Sequence, residues 1–208
     1  MPSFLRKRTC AIAISLCSVW GAAHADYIWL APAAGGAIEA RAGTLDKPAA
    51  EFPDVKNARA FTRDGQDVAV SRQPALVSIA GLATEDLRYT AGMAHAGKSV
   101  TLYHAKWGRS ETKALGDLEL VPTEPGGQVF KLVWKGQPVA ASQVQVDTSA
   151  GWRRTLKPAA DGSVHMETPF PGLYVLEVTA KVNGSVVIDG VKYEDVRHTA
   201  TLSFEVPR

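Results

Sequence analysis

The chain has 208 residues, 46% of them hydrophobic and 21% charged, and a formal net charge of +2. A length of this order allows one or two domains with an ample core, and so slight a positive balance gives no footing for nucleic-acid binding. The only cysteines are Cys10 and Cys17, so thiol chemistry depends wholly on the fate of the N-terminal segment.

That segment reads as a secretory signal. Arg6, Lys7 and Arg8 form a positive start, Cys10 to Trp20 is an almost unbroken apolar run, and Ala23-His24-Ala25 offers small residues at both cleavage-determining positions. The run of about 11 residues is too short for a membrane span of roughly 20. Leu16 is bulky where a lipoprotein signal before Cys17 wants a small residue. The expectation is therefore a leader at 1–25, removed to leave Asp26 as the first residue of a periplasmic protein with no membrane insertion. Cleavage removes three of the 23 Lys+Arg and none of the 21 Asp+Glu, which takes the formal charge to −1. It removes both cysteines too, and with them disulfides, cysteine nucleophiles, iron–sulfur clusters and thiolate zinc sites. Cleavage after Ala23 would instead put His24 first, and cleavage after Gly21 would put it third. Both are amine–imidazole arrangements that suit copper(II) or nickel(II).

Beyond residue 25, period-two alternation dominates. It runs through Val100–Leu102–His104, Phe130–Leu132–Trp134, Val144–Val146, Tyr174–Leu176–Val178–Ala180–Val182 and Ala200–Leu202–Phe204–Val206. Such alternation predicts half-buried antiparallel strands. Turn signals separate them at Gly35-Gly36, Asp64-Gly65, Pro125-Gly126-Gly127, Lys135-Gly136, Asp161-Gly162, Pro171-Gly172 and Asn183-Gly184. The fold class read from this is all-β, two antiparallel β-sandwich domains of immunoglobulin-like or prealbumin-like type. The polar stretch Gly108 to Gly116 interrupts the rhythm, which places the domains at 26–115 and 116–208. The expected core of the second comprises Phe130, Leu132, Val144, Val146, Tyr174, Leu176, Leu202 and Phe204.

No Gly-x-Ser-x-Gly elbow, phosphate loop or dinucleotide fingerprint occurs, so the reading is not an enzyme. Trp29, Trp107, Trp134 and Trp152 are scattered singly, as core or rim tryptophans are, rather than as a sugar-binding face. Arg153-Arg154 is too small a patch for nucleic acid.

The histidines are His24, His95, His104, His165 and His198, and no pair has the spacing that makes two imidazoles converge locally. His198 shares the apolar parity of Ala200, Leu202 and Phe204. A buried imidazole needs a partner for each ring nitrogen, or a metal. It is read either as a core histidine bonded to the backbone, Glu194 or Asp195, or as a metal ligand with Tyr193, Glu194, Asp195 and Arg197 around it. His104 has the same ambiguity beside Val100 and Leu102. Met93-Ala94-His95, taken as a glycine-flanked loop, pairs a thioether with an imidazole, a set that suits soft metals. His165 shares parity with Ser163 and Glu167 and reads as solvated. His104, or Met93 with His95, joins His198 in one site only if the two halves meet there. A site of this kind loses affinity below about pH 6, as protons compete for the imidazole.

Two resemblances add to this reading. Gly127-Gln-Val-Phe-Lys-Leu, Gly136-Gln-Pro-Val-Ala leading to Val144-Gln-Val, Asp161-Gly162 and Pro171-Gly172-Leu-Tyr174 follow one another as in carboxypeptidase regulatory and collagen-adhesin B-type β-sandwich modules, which the C-terminal half resembles. The whole chain after the leader resembles Domain of Unknown Function 4198, the NikM-like family of periplasmic proteins associated with nickel and cobalt uptake. The residues that carry this are Asp26-Tyr27-Ile28-Trp29-Leu30-x-Pro32 and Tyr193-Glu-Asp-Val-Arg197-His198-x-Ala200-Thr201-Leu202. Family members commonly show a histidine directly before the aromatic-x-Trp stretch, and Asp26 stands there in this chain. The resemblance implies a metal-handling accessory protein that captures or delivers nickel or cobalt, with a metal transporter or TonB-dependent receptor as partner. The histidine and methionine inventory permits copper as well. The alternative is a metal-free envelope module that docks another protein.

Overall fold

The computed structural model describes residues 26–182 and 184–208. The expected leader, with Cys10, Cys17 and His24, and the asparagine of the Asn183-Gly184 turn lie outside the described residues. Among the described residues the chain is all β, apart from a single 3-10 turn at Ala34–Gly36. The first half contributes β1 (Tyr27–Pro32), β2 (Ala37–Thr44), β3 (Lys47–Pro48), β4 (Lys56–Thr62), β5 (Asp67–Val68), β6 (Val70–Arg72), β7 (Val77–Leu82), β8 (Leu87–His95) and β9 (Ser99–Trp107). The second contributes β10 (Leu118–Pro122), β11 (Val129–Trp134), β12 (Gln137–Val139), β13 (Val144–Thr148), β14 (Arg153–Leu156) and β15 (Ser163–His165). It ends with β16 (Gly172–Val182), β17 (Val186–Ile188), β18 (Val191–Tyr193) and β19 (Asp195–Val206).

An eight-stranded sheet in the order β14-β13-β16-β19-β9-β8-β4-β5 forms the centre. A smaller sheet of β1, β2, β7 and β6, with β3 beside β2, lies on one face. There Tyr89, Ala91, Tyr103, Ala105 and Trp107 of the large sheet pack against Ile28, Leu30, Ile38, Ala40, Val77 and Ile79. The opposite face, set by the alternation of Cβ atoms along each strand, carries Val144, Val146, Tyr174, Leu176, Ala200, Leu202 and Phe204. These pack against Leu118, Leu120, Phe130 and Leu132 of the sheet of β10, β11, β12 and β15. All eight residues expected in the second core are buried there. Tyr174 lies parallel to Phe204 at 5.6 Å, and its hydroxyl donates to the Phe170 carbonyl at 2.8 Å.

The expectation of purely antiparallel pairing needs one correction. β19 runs parallel to β9 over nine positions, from Asp195↔Ser99 to Ser203↔Trp107. The first core ends at Trp107 and the second begins at Leu118, on either side of the polar stretch where the sequence places a boundary, yet one hydrogen-bonded sheet runs through both halves. The N-terminal motif residues tie the halves further. Tyr27 donates its hydroxyl to Asp147 Oδ2 at 2.7 Å, and Trp29 packs beside Val175.

Candidate functional site

The parallel pair positions the site. In β9 the odd residues Thr101, Tyr103, Ala105 and Trp107 take the face of the first core, so Val100, Leu102, His104 and Lys106 point to the other face. In β19 that same face carries Val196, His198, Ala200, Leu202 and Phe204. The register sets Ala200 beside His104 and His198 beside Leu102, which makes the two histidines diagonal neighbours. His104 Nε2 and His198 Nδ1 are 3.0 Å apart. The ring planes differ by 9° and the centroids by 5.2 Å, close to the largest separation that a 3.0 Å contact between ring nitrogens allows. The rings therefore meet end to end and nearly coplanar, sharing one hydrogen bond.

Both imidazoles are neutral at ordinary pH. Burial pushes His104 down from 6.5 to about 4, with His198 adding to the shift and Asp117 opposing it. Burial lowers His198 as well, opposed by the charge of Asp117 and reinforced by that of Lys135. His104 Nδ1 is buried with no hydrogen-bond partner. It sits close to Gly116, at which an added Cβ would lie 4.0 Å from that nitrogen.

Gly116 ends the polar stretch 108–116, which buried ion pairs hold against this face. Arg88 donates through Nη2 to Glu119 Oε1 at 2.9 Å and through Nη1 to Glu111. Glu119 Oε2 accepts the amides of Leu115 and Gly116, each at 2.9 Å. Lys106 Nζ donates to Asp86 Oδ2 at 2.5 Å and to the Gly108 carbonyl at 2.6 Å, and Asp86 also accepts the amides of Ser110 and Glu111. Arg88 and Lys106, 2% and 1% exposed, are buried on the face of β8 and β9 turned away from the first core. Their partners are Glu119 of β10, Asp86 just before β8, and Glu111 and the Gly108 carbonyl from the stretch that interrupts the strand rhythm.

Trp134 forms the other wall. It continues the inward parity of Phe130 and Leu132, and its ring meets His198 edge-on at 4.6 Å and 85°. The two-residue β11–β12 turn follows at once, with positive φ at both Lys135 (47°) and Gly136 (80°), as the tightest hairpins require. The Lys135 amide donates to the Asp117 carbonyl at 2.7 Å, which places the two residues side by side. Asp117, Trp134, Lys135, Ser185, Val196 and His198 line a pocket of about 190 Å³. Because His104 occupies Nδ1 of His198, Nε2 is the ring nitrogen left for anything in the pocket.

The structure thus brings His104 and His198 together and leaves Met93 and His95 elsewhere. Met93-Ala94-His95 is the end of β8 rather than a loop, because Met93 pairs with Thr101 and His95 with Ser99 in the β8–β9 ladder. Thr90 is the residue opposite His104, so Met93 and His95, of the other parity, lie on the opposite face. Met93 packs against the first core, and His95 Nε2 lies 2.9 Å from Thr101 Oγ1. His165 is exposed on β15. The neighbours expected around His198 are engaged elsewhere: Asp195 pairs with Lys181, Glu194 with Lys192, and Arg197 is exposed. Neither Asp117 nor Lys135 stands out in the sequence as a site residue; the Lys135-Gly136 turn is the one local signal, and it marks Lys135 alone.

Among the described residues no three His, Cys, Asp or Glu side chains converge as a ready-made metal cage. An ion held between two collinear nitrogens needs them about 4 Å apart, so His104 and His198 as placed share a proton, not a metal. The chemistry available is one ligating nitrogen, His198 Nε2, supported from behind by His104 and accompanied by the Asp117 carboxylate. A scan of the chain against protein-family models finds no match, and a search of curated proteins finds none either.

Proposed function

We propose that this chain is a non-catalytic, metal-handling accessory protein of the periplasm, which captures or passes a late first-row divalent ion through His198. The observation that carries this reading is the state of His198: a neutral, buried imidazole, hydrogen-bonded by a second imidazole, in a pocket that also holds a carboxylate. A ligating histidine that gives its other N–H to a fixed acceptor is the usual design of a metal ligand. Here ligation through Nε2 places the His198 proton on Nδ1, donated to His104 Nε2. His104 then carries its own proton on Nδ1, where no acceptor waits, so the affinity is moderate rather than high. Nickel or cobalt is the cargo favoured by the resemblance, copper is permitted by the imidazole donor, and a permease or TonB-dependent receptor is the partner. The test is calorimetric titration of nickel and copper into the wild type, His198→Ala and His104→Gln.

A second reading, a metal-free module that docks another envelope protein, is favoured by the β17–β18 hairpin, where Val187 and Val191 are 64% and 49% exposed. Absence of ion uptake by the wild type decides for it.

A further inference from the structure

We propose that the pocket beside His198 accepts its ion not bare but already wrapped in a small carboxylate chelator, with Lys135 and Trp134 recognising the chelator. The proposal rests on the metal-handling reading and deepens it. Three features carry it. The first is ligand count: a late first-row ion takes about four to six donors, and the described residues of this pocket supply one imidazole and one carboxylate. The remaining positions are open to water or to donors that arrive with the ion.

Charge is the second. Lys135 lines the pocket, and its charge is felt at His198. A cation there repels a bare divalent ion, whereas it attracts a complex whose outer face is carboxylate. Lys135 Nζ lies 5.2 Å from the Trp134 ring centroid, so charge and aromatic surface are presented together. The third is size. The pocket, about 190 Å³ and open to solvent on one side, has room for more than one ion held by two side chains. Its walls include Leu102, Val182, Val186 and Val196, which suit the carbon skeleton of an organic ligand.

The experiment compares nickel chloride, nickel premixed with citrate, and citrate alone, titrated into wild type, His198→Ala and Lys135→Asn. Asparagine tolerates the positive φ at this position, and thermal melts confirm that each variant is folded. The wild type is expected to bind nickel citrate at least about tenfold more tightly than nickel chloride. Lys135→Asn should lose that preference without losing affinity for bare nickel, and His198→Ala should lose both. If citrate instead strips nickel from the wild type, or Lys135→Asn keeps the preference, the proposal is overturned while the metal-handling reading stands. If neither form of nickel binds, both fall together.

Discussion

His104 Nε2 and His198 Nδ1 meet end to end at 3.0 Å across the parallel pairing of β9 and β19, between residues 94 apart in sequence. The contact joins the last strand of the first half to the last strand of the second. It also fixes which nitrogen of His198 remains for a ligand.

The first prediction concerns pH. Folded His104 titrates at about 4, below its ordinary 6.5, chiefly because it is buried. In the window between these values the unfolded chain binds the proton and the folded chain does not. Stability is therefore full above about 6.5 and falls as pH drops toward about 4, by up to about 3 kcal/mol for this group. His198 shifts in the same direction and adds to the fall. Urea unfolding at several pH values across this window checks this, with His104→Gln expected to show a shallower dependence. Equal slopes for variant and wild type would contradict it.

The second concerns the ion pairs that hold the 108–116 stretch. Arg88→Met leaves Glu119 and Glu111 without their buried counter-charge and should cost about 3–5 kcal/mol. The amides of Leu115 and Gly116, which Glu119 accepts, should then exchange with solvent faster than in the wild type. Unchanged exchange at those two amides would show that the stretch is held by something else.

The third concerns the second core. Leu202 is fully buried beside Leu176 and facing the β10–β11 layer, and Leu202→Ala should cost about 2–5 kcal/mol. Leu82, an exposed residue at the end of β7, should tolerate the same change within about 0.5 kcal/mol. Denaturant midpoints of the two variants against wild type make the comparison.

Much of the fold is legible in the sequence because period two assigns each side chain to a face without knowledge of its partner strand. Phe130, Leu132, Tyr174, Leu176, Leu202 and Phe204 read correctly for that reason. Pairing is another matter. Nothing local distinguishes a β19 that pairs only with β16 from one that also runs parallel to β9, and on that pairing depends whether His104 and His198 meet. The buried Arg88 and Lys106 were hidden for a related reason: a charge at an inward position is stable only with partners, and theirs lie 20 to 31 residues away. Met93 and His95 read as a loop because the flanking glycines looked like its limits, whereas Gly92 is inside β8 and Gly97 makes the turn that follows.

The fourth prediction is export. Intact mass of protein from the periplasm should correspond to a chain that begins at Asp26 and carries no cysteine. A species that retains Cys10 and Cys17, or carries lipid, would contradict it.

His198 is proposed as the ligand through which the protein handles its ion. Calorimetric titration of nickel into wild type and His198→Ala, with folding of both verified by thermal melts, tests it most directly. Saturable uptake is expected of the wild type, none of His198→Ala, and weakened uptake of His104→Gln, which leaves the pocket lining intact while removing the imidazole behind His198. Uptake by folded His198→Ala as tight as that of the wild type would contradict it.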